Sequence, residues 1–251
     1  MLRILRAEFR KNIIEMKTYY PDQIADFIIK FIIFVAFFVG FGKSRINETD
    51  FCIGYLFWMI SSQIISEASV NISFEKQVGT IEQLLIKPYK MDIILAVRTF
   101  ISFMVSFAKY LLLYVIIYFL FGIYINISVE LVIICVISLI GFLGLGIALS
   151  GITMIFSKTA SFETIISYLL LLLSGSVISY DNINHSVFNA MKLCPFVYEI
   201  YLAQNIVTGE SLESGQTIYL LAINIIMLLL GMFVFRAIHK YVTSVGISND
   251  Y

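Results

Sequence analysis

The chain has 251 residues, of which 60% are hydrophobic and only 14% charged; seventeen basic side chains balance seventeen acidic ones, and the mean hydropathy is +0.92. An ordinary soluble domain carries roughly 45–50% apolar residues, so the composition excludes one and indicates a polytopic membrane protein. Zero formal charge, without the basic patches or modules of nucleic-acid binders, excludes a nucleic-acid partner.

Residues 1–20 place Leu2, Leu5, Phe9, Ile13 and Met16 at helical spacing among Arg3, Arg6, Arg10, Lys11 and Lys17, which predicts a basic amphipathic helix lying on the membrane surface. Tyr19, Tyr20 and Pro21 close it, aromatic rings beside a proline suiting the headgroup level. The first apolar run starts only near Ile24 and no small-x-small cleavage site follows, so the first span is expected to remain in the mature protein. Apolar runs at about 24–41, 51–73, 93–122, 130–156, 164–179 and 216–236 predict six transmembrane helices, the third long and the fifth short against the ~20 residues needed to cross a ~30 Å core.

Between the second and third runs lies the substantial polar, helix-forming island at 74–92. Gly79 and Thr80 mark a helix start, Ile81, Leu84 and Leu85 recur at helical spacing, Glu82 and Gln83 form the wetter side, and Pro88, after Lys87, stops the turn. The stretch Gly79-Thr80-Ile81-Glu82-Gln83-Leu84-Leu85-Ile86-Lys87-Pro88 resembles the GT(L/I)EQLL-x-x-P segment of the ABC-2 type transporter permeases. The resemblance implies that this is the coupling helix, which inserts into a groove on a separate ATP-binding subunit.

Counting Lys and Arg in the short connections gives eleven on the side that holds 1–23, 75–92, 157–163 and the tail. The other side has three, Lys43, Arg45 and Lys192, an excess that orients both termini and the island to the cytoplasm. Four charges fall inside apolar runs, where an ionised group at the bilayer centre costs about 2.5–3.5 kcal/mol. Lys30 and Arg98 sit near the ends of their spans, where their stems are expected to reach the headgroups. Glu67 lies at a depth that suggests an ion pair with Lys30. Lys109, followed along the helix by Tyr110, Tyr114 and Tyr118, is expected to face the protein interior, in an interspan hydrogen bond or against a polar part of a cargo. Gly141, Gly144, Gly146 and Gly151 in the fourth run lack the spacing and preceding strand of a nucleotide loop and are read as a close-packing helix surface.

The segment 180–215 carries Asp181, Glu199, Glu210 and Glu213, yet 187–193 and 196–207 are apolar enough to rest at or dip into the outer interface, separated by Pro195. Here the ABC-2 family has re-entrant helices and an Asn-Pro motif followed by an Arg. Cys194-Pro195 resembles that motif, with Cys194 in place of Asn and Gln204 near the position of Arg.

Chemistry of its own is not visible. There is no Walker A sequence, no His-Glu-x-x-His and no nucleophile, base and acid at a common depth. Cys52, Cys135 and Cys194 are odd in number and share no metal-ligand spacing with one another or with His185 and His239. The expectation is therefore a single all-α transmembrane domain over 1–251. It has an interfacial helix, six spans, a coupling helix and re-entrant outer helices, binds no cofactor and forms no catalytic site.

By the family resemblance, ATP and Mg belong to a partner subunit. Two copies of that ATPase would pair with two permeases, this chain with a second copy or a related chain, to export an amphipathic or lipid-linked substrate. Richness in Ile, Phe, Asn and Lys suggests an AT-rich bacterial genome and so a bacterial cell membrane. Rival functions are a membrane signalling or scaffold subunit that moves no cargo and an intramembrane enzyme using Glu67 or Lys109.

Overall fold

The computed structural model describes residues 2–42, 47–79, 91–156, 160–180 and 183–245, and every regular element among them is a helix. Helix α1 (Leu2–Thr18) is followed after a bend at Tyr19 by α2 (Tyr20–Phe37), with Pro21 in its first turn, where a missing N–H costs nothing. A π turn (Phe38–Gly42) ends α2. The long helices α3 (Glu48–Gln77) and α4 (Met91–Phe121) flank the polar island, and α5 (Val129–Ile155) returns alongside them. Then come α6 (Ala160–Leu173), the short α7 (His185–Met191), α8 (Pro195–Val207) and α9 (Ser214–Val245).

Among the described residues, five helices are long and apolar enough to cross a membrane: Tyr20–Gly40, Glu48–Gln77, Ile93–Phe121, Val129–Ile155 and Ser214–Ser244. The fifth apolar run departs from expectation. Its helix α6 has 14 residues, a rise of about 21 Å, and the chain leaves helical geometry at Ser174 instead of continuing to 179. The reason is local. Gly175 has φ +72°, outside the helical region, and the freed groups find partners inside the protein. Ser174 Oγ donates to the Leu171 carbonyl (2.6 Å), and the Tyr180 hydroxyl donates to that of Leu173 (2.8 Å). The Trp58 indole N–H donates to Ser167 (2.7 Å). Irregular backbone at such a place is tolerated because protein covers it: Ser174 and Ser176 are buried, and Gly54 of α3 lies so near that a Cβ there would sit 2.1 Å from the Ser174 carbonyl oxygen.

The core centres on α3, whose apolar window is 78% buried, against 17% for α2 and 22% for α9. Those two helices therefore keep most of their apolar surface for lipid or for another protein. At one end of α3, Phe51 and Tyr55 pack with Phe34, Phe38 and Phe121 in an aromatic cluster with centroids 5.0–6.1 Å apart.

The glycines of the fourth run are packing residues, as expected. Gly141, Gly144 and Gly151 face α9, while Gly146 faces Ala68, Ile64 and Thr99 on α3 and α4. The closest backbone approach is reciprocal: a Cβ on Gly144 would lie 2.6 Å from Leu228 Cα, and one on Gly231 2.0 Å from the Gly144 carbonyl oxygen. Backbone opposes backbone there, so a side chain cannot yield. Gly231→Ala should cost about 1–3 kcal/mol and lower the thermal midpoint in detergent by roughly 2–12 °C. An unchanged midpoint would show that α5 and α9 separate without penalty.

Candidate functional site

Two polar clusters sit where composition alone would place apolar contacts. The first joins α1 to both arms of the polar island. Arg98, near the start of α4, donates from Nε to Glu8 Oε2 of α1 (2.9 Å) and from Nη2 to Glu75 Oε1 near the end of α3 (3.0 Å). Lys11 of α1 reaches the same Glu75 oxygen at 3.4 Å and Glu15 at 3.6 Å. The Arg98, Glu8 and Glu75 side chains are only 7%, 12% and 10% exposed. Thus Arg98 does not snorkel to headgroups; carboxylates on two other helices compensate its charge inside the protein. The guanidinium suits the position because separate nitrogens of one rigid fork serve separate acceptors.

The second cluster lies within the spans. Lys30 Nζ, on the buried face of α2, donates to Asp26 Oδ2 (2.9 Å), Gln63 Oε1 (2.5 Å) and the Tyr110 hydroxyl (2.5 Å). The Tyr110 hydroxyl donates in turn to Gln63 Oε1 (2.9 Å), and Gln63 Nε2 to Glu67 Oε1 (2.9 Å). The expected Lys30–Glu67 pair is thereby corrected: Gln63 stands between them, and the carboxylate paired with Lys30 is Asp26, one turn earlier on its own helix. The expectation that Lys30 snorkels fails as well, since the residue is buried, with its ammonium fully used by α2, α3 and α4. Lys109 donates to Gln23 Oε1 of α2, an interspan hydrogen bond and one of the two roles expected of it. Of the tyrosines that follow, Tyr110 is buried and Tyr114 accepts the Ile125 N–H (2.9 Å), whereas Tyr118 is exposed.

Between the two arms, Gly79 closes α3 with φ +72°. The rest of the proposed coupling helix, Thr80, Ile81, Glu82, Gln83, Leu84, Leu85, Lys87 and Pro88, lies outside the described residues. What the structure supplies is the setting: Glu75 and Arg98, held in one ion-pair cluster, are the near ends of the arms that carry it.

Sequence reasoning missed Asp26, Gln63, Glu8 and Glu75 as partners. Only Asp26–Lys30 had a readable signal, an acidic and a basic residue four apart inside an apolar run. It also took Glu199 for part of an acidic outer segment. Glu199 is buried, on the α8 face that holds Phe196, Ile200 and Ala203, beside Asn224 of α9 and Ser138 of α5. Burial pushes its carboxyl from an ordinary 4.5 to about 8. Among the described residues, Glu199 Oε2 and Asn224 Oδ1 both lack a partner. Hydrogen bonds from the Asn224 and Ser138 side chains favour the carboxylate, and burial outweighs them, so the carboxyl is held neutral over a wider pH range than in water.

Stability is then expected to fall as pH rises. Between 4.5 and about 8 the unfolded chain has released this proton while the native chain holds it, so each step upward favours unfolding. Glu199→Gln should flatten that part of the pH profile of the thermal midpoint. Equal slopes for the two proteins would mean that Glu199 is ionised in the fold. On the same helix, Gln204 donates to the Asp50 carbonyl at the start of α3 (3.0 Å), which ties α8 to α3.

Among curated proteins, no sequence match was found. The family model for the ABC-2 type transporter matches residues 3–208, a range that takes in α1 to α8, both polar clusters and the island between the arms. With more than half of its length matched and its helices apolar enough to span a membrane, the chain belongs to the ABC-2 type transporter family and is a membrane permease subunit of an ABC transporter.

Proposed function

We propose that this permease is the exporting membrane subunit of an ATP-driven transporter. It works as a homodimer with two ATP-binding subunits docked on residues 79–88, and moves an amphipathic or lipid-linked substrate out of the cytoplasm or inner leaflet. The observation that carries this reading is the Glu8–Arg98–Glu75 cluster. A push on the docking segment moves the ends of α3 and α4 together, because one guanidinium binds both to α1. The excess of Lys and Arg on that side supports a cytoplasmic location for the cluster and for both termini, in a bacterial cell membrane.

The largely exposed apolar face of α2 (Ile24, Ile28, Ile32) and that of α6 (Ile165, Leu169, Leu172) suit the interface between two copies. The docking face should be apolar around Ile81, Leu84 and Leu85, with Glu82 and Lys87 at its rim, since interface cores exclude charge. Nucleotide hydrolysis, with its Mg, belongs to the partner. Leu84→Asp is expected to insert into the membrane normally but to lose at least ten-fold of the ATP-binding subunit recovered with it in detergent. Undiminished recovery would remove the docking assignment, and with it the exporter reading.

A further inference from the structure

We infer that one phospholipid acyl chain occupies a cavity between α4 and α5, floored by α3 and roofed by residues 123–127. The cavity measures about 290 Å³. Its floor includes Ile53 and Phe57, which are 2% and 6% exposed, while its mouth is framed by Leu111 of α4 and by Val132 and Val136 of α5, each at least 50% exposed. It therefore opens sideways between two spans, towards the hydrocarbon of the bilayer rather than towards water.

Four observations select the occupant. Every lining residue is apolar except Tyr110, Tyr114 and Cys135, and both tyrosine hydroxyls are turned to protein partners, Gln63 and the Ile125 N–H. A water molecule would find no set of partners there. The volume is about twice that of the ~150 Å³ apolar cavity that takes up benzene, enough for a single hydrocarbon chain and too little for a helix 10–12 Å across. The wall from Phe103 to Tyr114 rises about 16 Å along α4, close to half of a ~30 Å hydrocarbon core, the depth one acyl chain covers within its leaflet. Finally, a void between spans forfeits dispersion contacts on every lining side chain, and the neighbouring lipid is the molecule at hand to restore them. Measured from the middle of Ile93–Phe121, most of this wall lies in the leaflet on the side of the 123–127 connection, with Phe103 about 6 Å past the midpoint. That placement follows from the fold and does not rest on the transport reading.

The experiment uses the purified full chain in phosphatidylglycerol vesicles holding a phospholipid with a diazirine near the end of one acyl chain. Irradiation, digestion and mass spectrometry then map the adducts. Adducts are expected on the buried floor and deep wall, at Phe57 and Phe103, as well as on the exposed mouth. Moving the diazirine next to the headgroup should lower the Phe103 adduct at least five-fold, because that residue is at the deep end. Cys135→Trp, which fills the cavity from the α5 wall, should remove floor adducts to the same degree while those on the exposed α9 residues Leu229 and Phe233 persist. Adducts confined to the mouth, or equal deep labelling from both probe positions, would overturn the proposal without need of the variant. So would a disulfide formed between copies by Val136→Cys, which would make this face an interface between chains.

Discussion

Arg98→Met is expected to uncouple the permease, and to do so by releasing α1 from the rest of the fold. The side chain is 7% exposed and serves Glu8 through Nε and Glu75 through Nη2, at 2.9 and 3.0 Å. Removing it leaves two carboxylates, themselves 12% and 10% exposed, without their main counter-charge. Breaking a buried pair from one side costs about 3–5 kcal/mol, chiefly because the abandoned charge stays out of water. Lys11 offsets part of this at Glu75, from 3.4 Å, but Glu8 has to move to solvent, and α1 with it.

Trypsin should then cut α1 after Arg6, Arg10 and Lys11 at least ten-fold faster than in the wild type, and ATP-driven transport should be lost while the ATP-binding subunit stays bound. Arg98→Lys should recover little, since one ammonium cannot hold both carboxylates in the geometry of the guanidinium fork. The triple variant Glu8→Gln, Glu75→Gln, Arg98→Met should regain thermal stability without regaining transport, because the stranded charges are gone and the link between the arms is still missing. Wild-type protection of α1 together with wild-type transport in Arg98→Met would show that the cluster transmits nothing.

Much of this architecture is legible in the sequence because a bilayer leaves so few options. Apolar runs of about twenty residues satisfy their backbone in a bilayer as helices, and run length locates the first four spans to within about four residues, while the last helix, Ser214–Ser244, continues well past the expected 236. The run at 164–179 shows where hydropathy stops being informative. Residues 174–179, Ser-Gly-Ser-Val-Ile-Ser, keep a window average apolar only through their neighbours, and Gly175 with the buried serines forms an irregular turn against Gly54, a contact between residues more than a hundred positions apart. Depth reasoning found Lys30, Glu67, Arg98 and Lys109 as charges in need of explanation but misassigned the partners of three. Depth fixes a height in the membrane, whereas partnership depends on which face of which helix meets another. Asp26 meets Lys30 through helical periodicity, which is local; Glu8 and Glu75 meet Arg98 through tertiary packing, which no single segment encodes. Glu199 was misplaced for a related reason. A carboxylate in a connecting segment is expected at the surface, and only the α8 face it shares with Phe196, Ile200 and Ala203 points inward.

The intramembrane cluster yields a prediction whose sign is opposite to the intuition that the deeply placed lysine is the sensitive member. Lys30 is 8% exposed, but the Asp26 side chain is 40% exposed. Lys30→Met removes the buried charge, leaves Asp26 free to hydrate, and leaves Gln63 and Tyr110 bonded to each other, so it should cost no more than about 1 kcal/mol. Asp26→Leu instead strands the ammonium with neutral acceptors between three helices, the situation for which about 3–5 kcal/mol is the usual penalty. The double variant should return to within about 1 kcal/mol of the wild type, giving a coupling energy well above the few tenths expected of independent sites. Thermal unfolding of the four proteins in one detergent measures the cycle. If Lys30→Met proves the more damaging single change, the Asp26 pairing is not what stabilises this ammonium. Its bonds to Gln63 and Tyr110 would then be the interactions that hold α2 against α3 and α4, and Gln63→Leu should reproduce the loss.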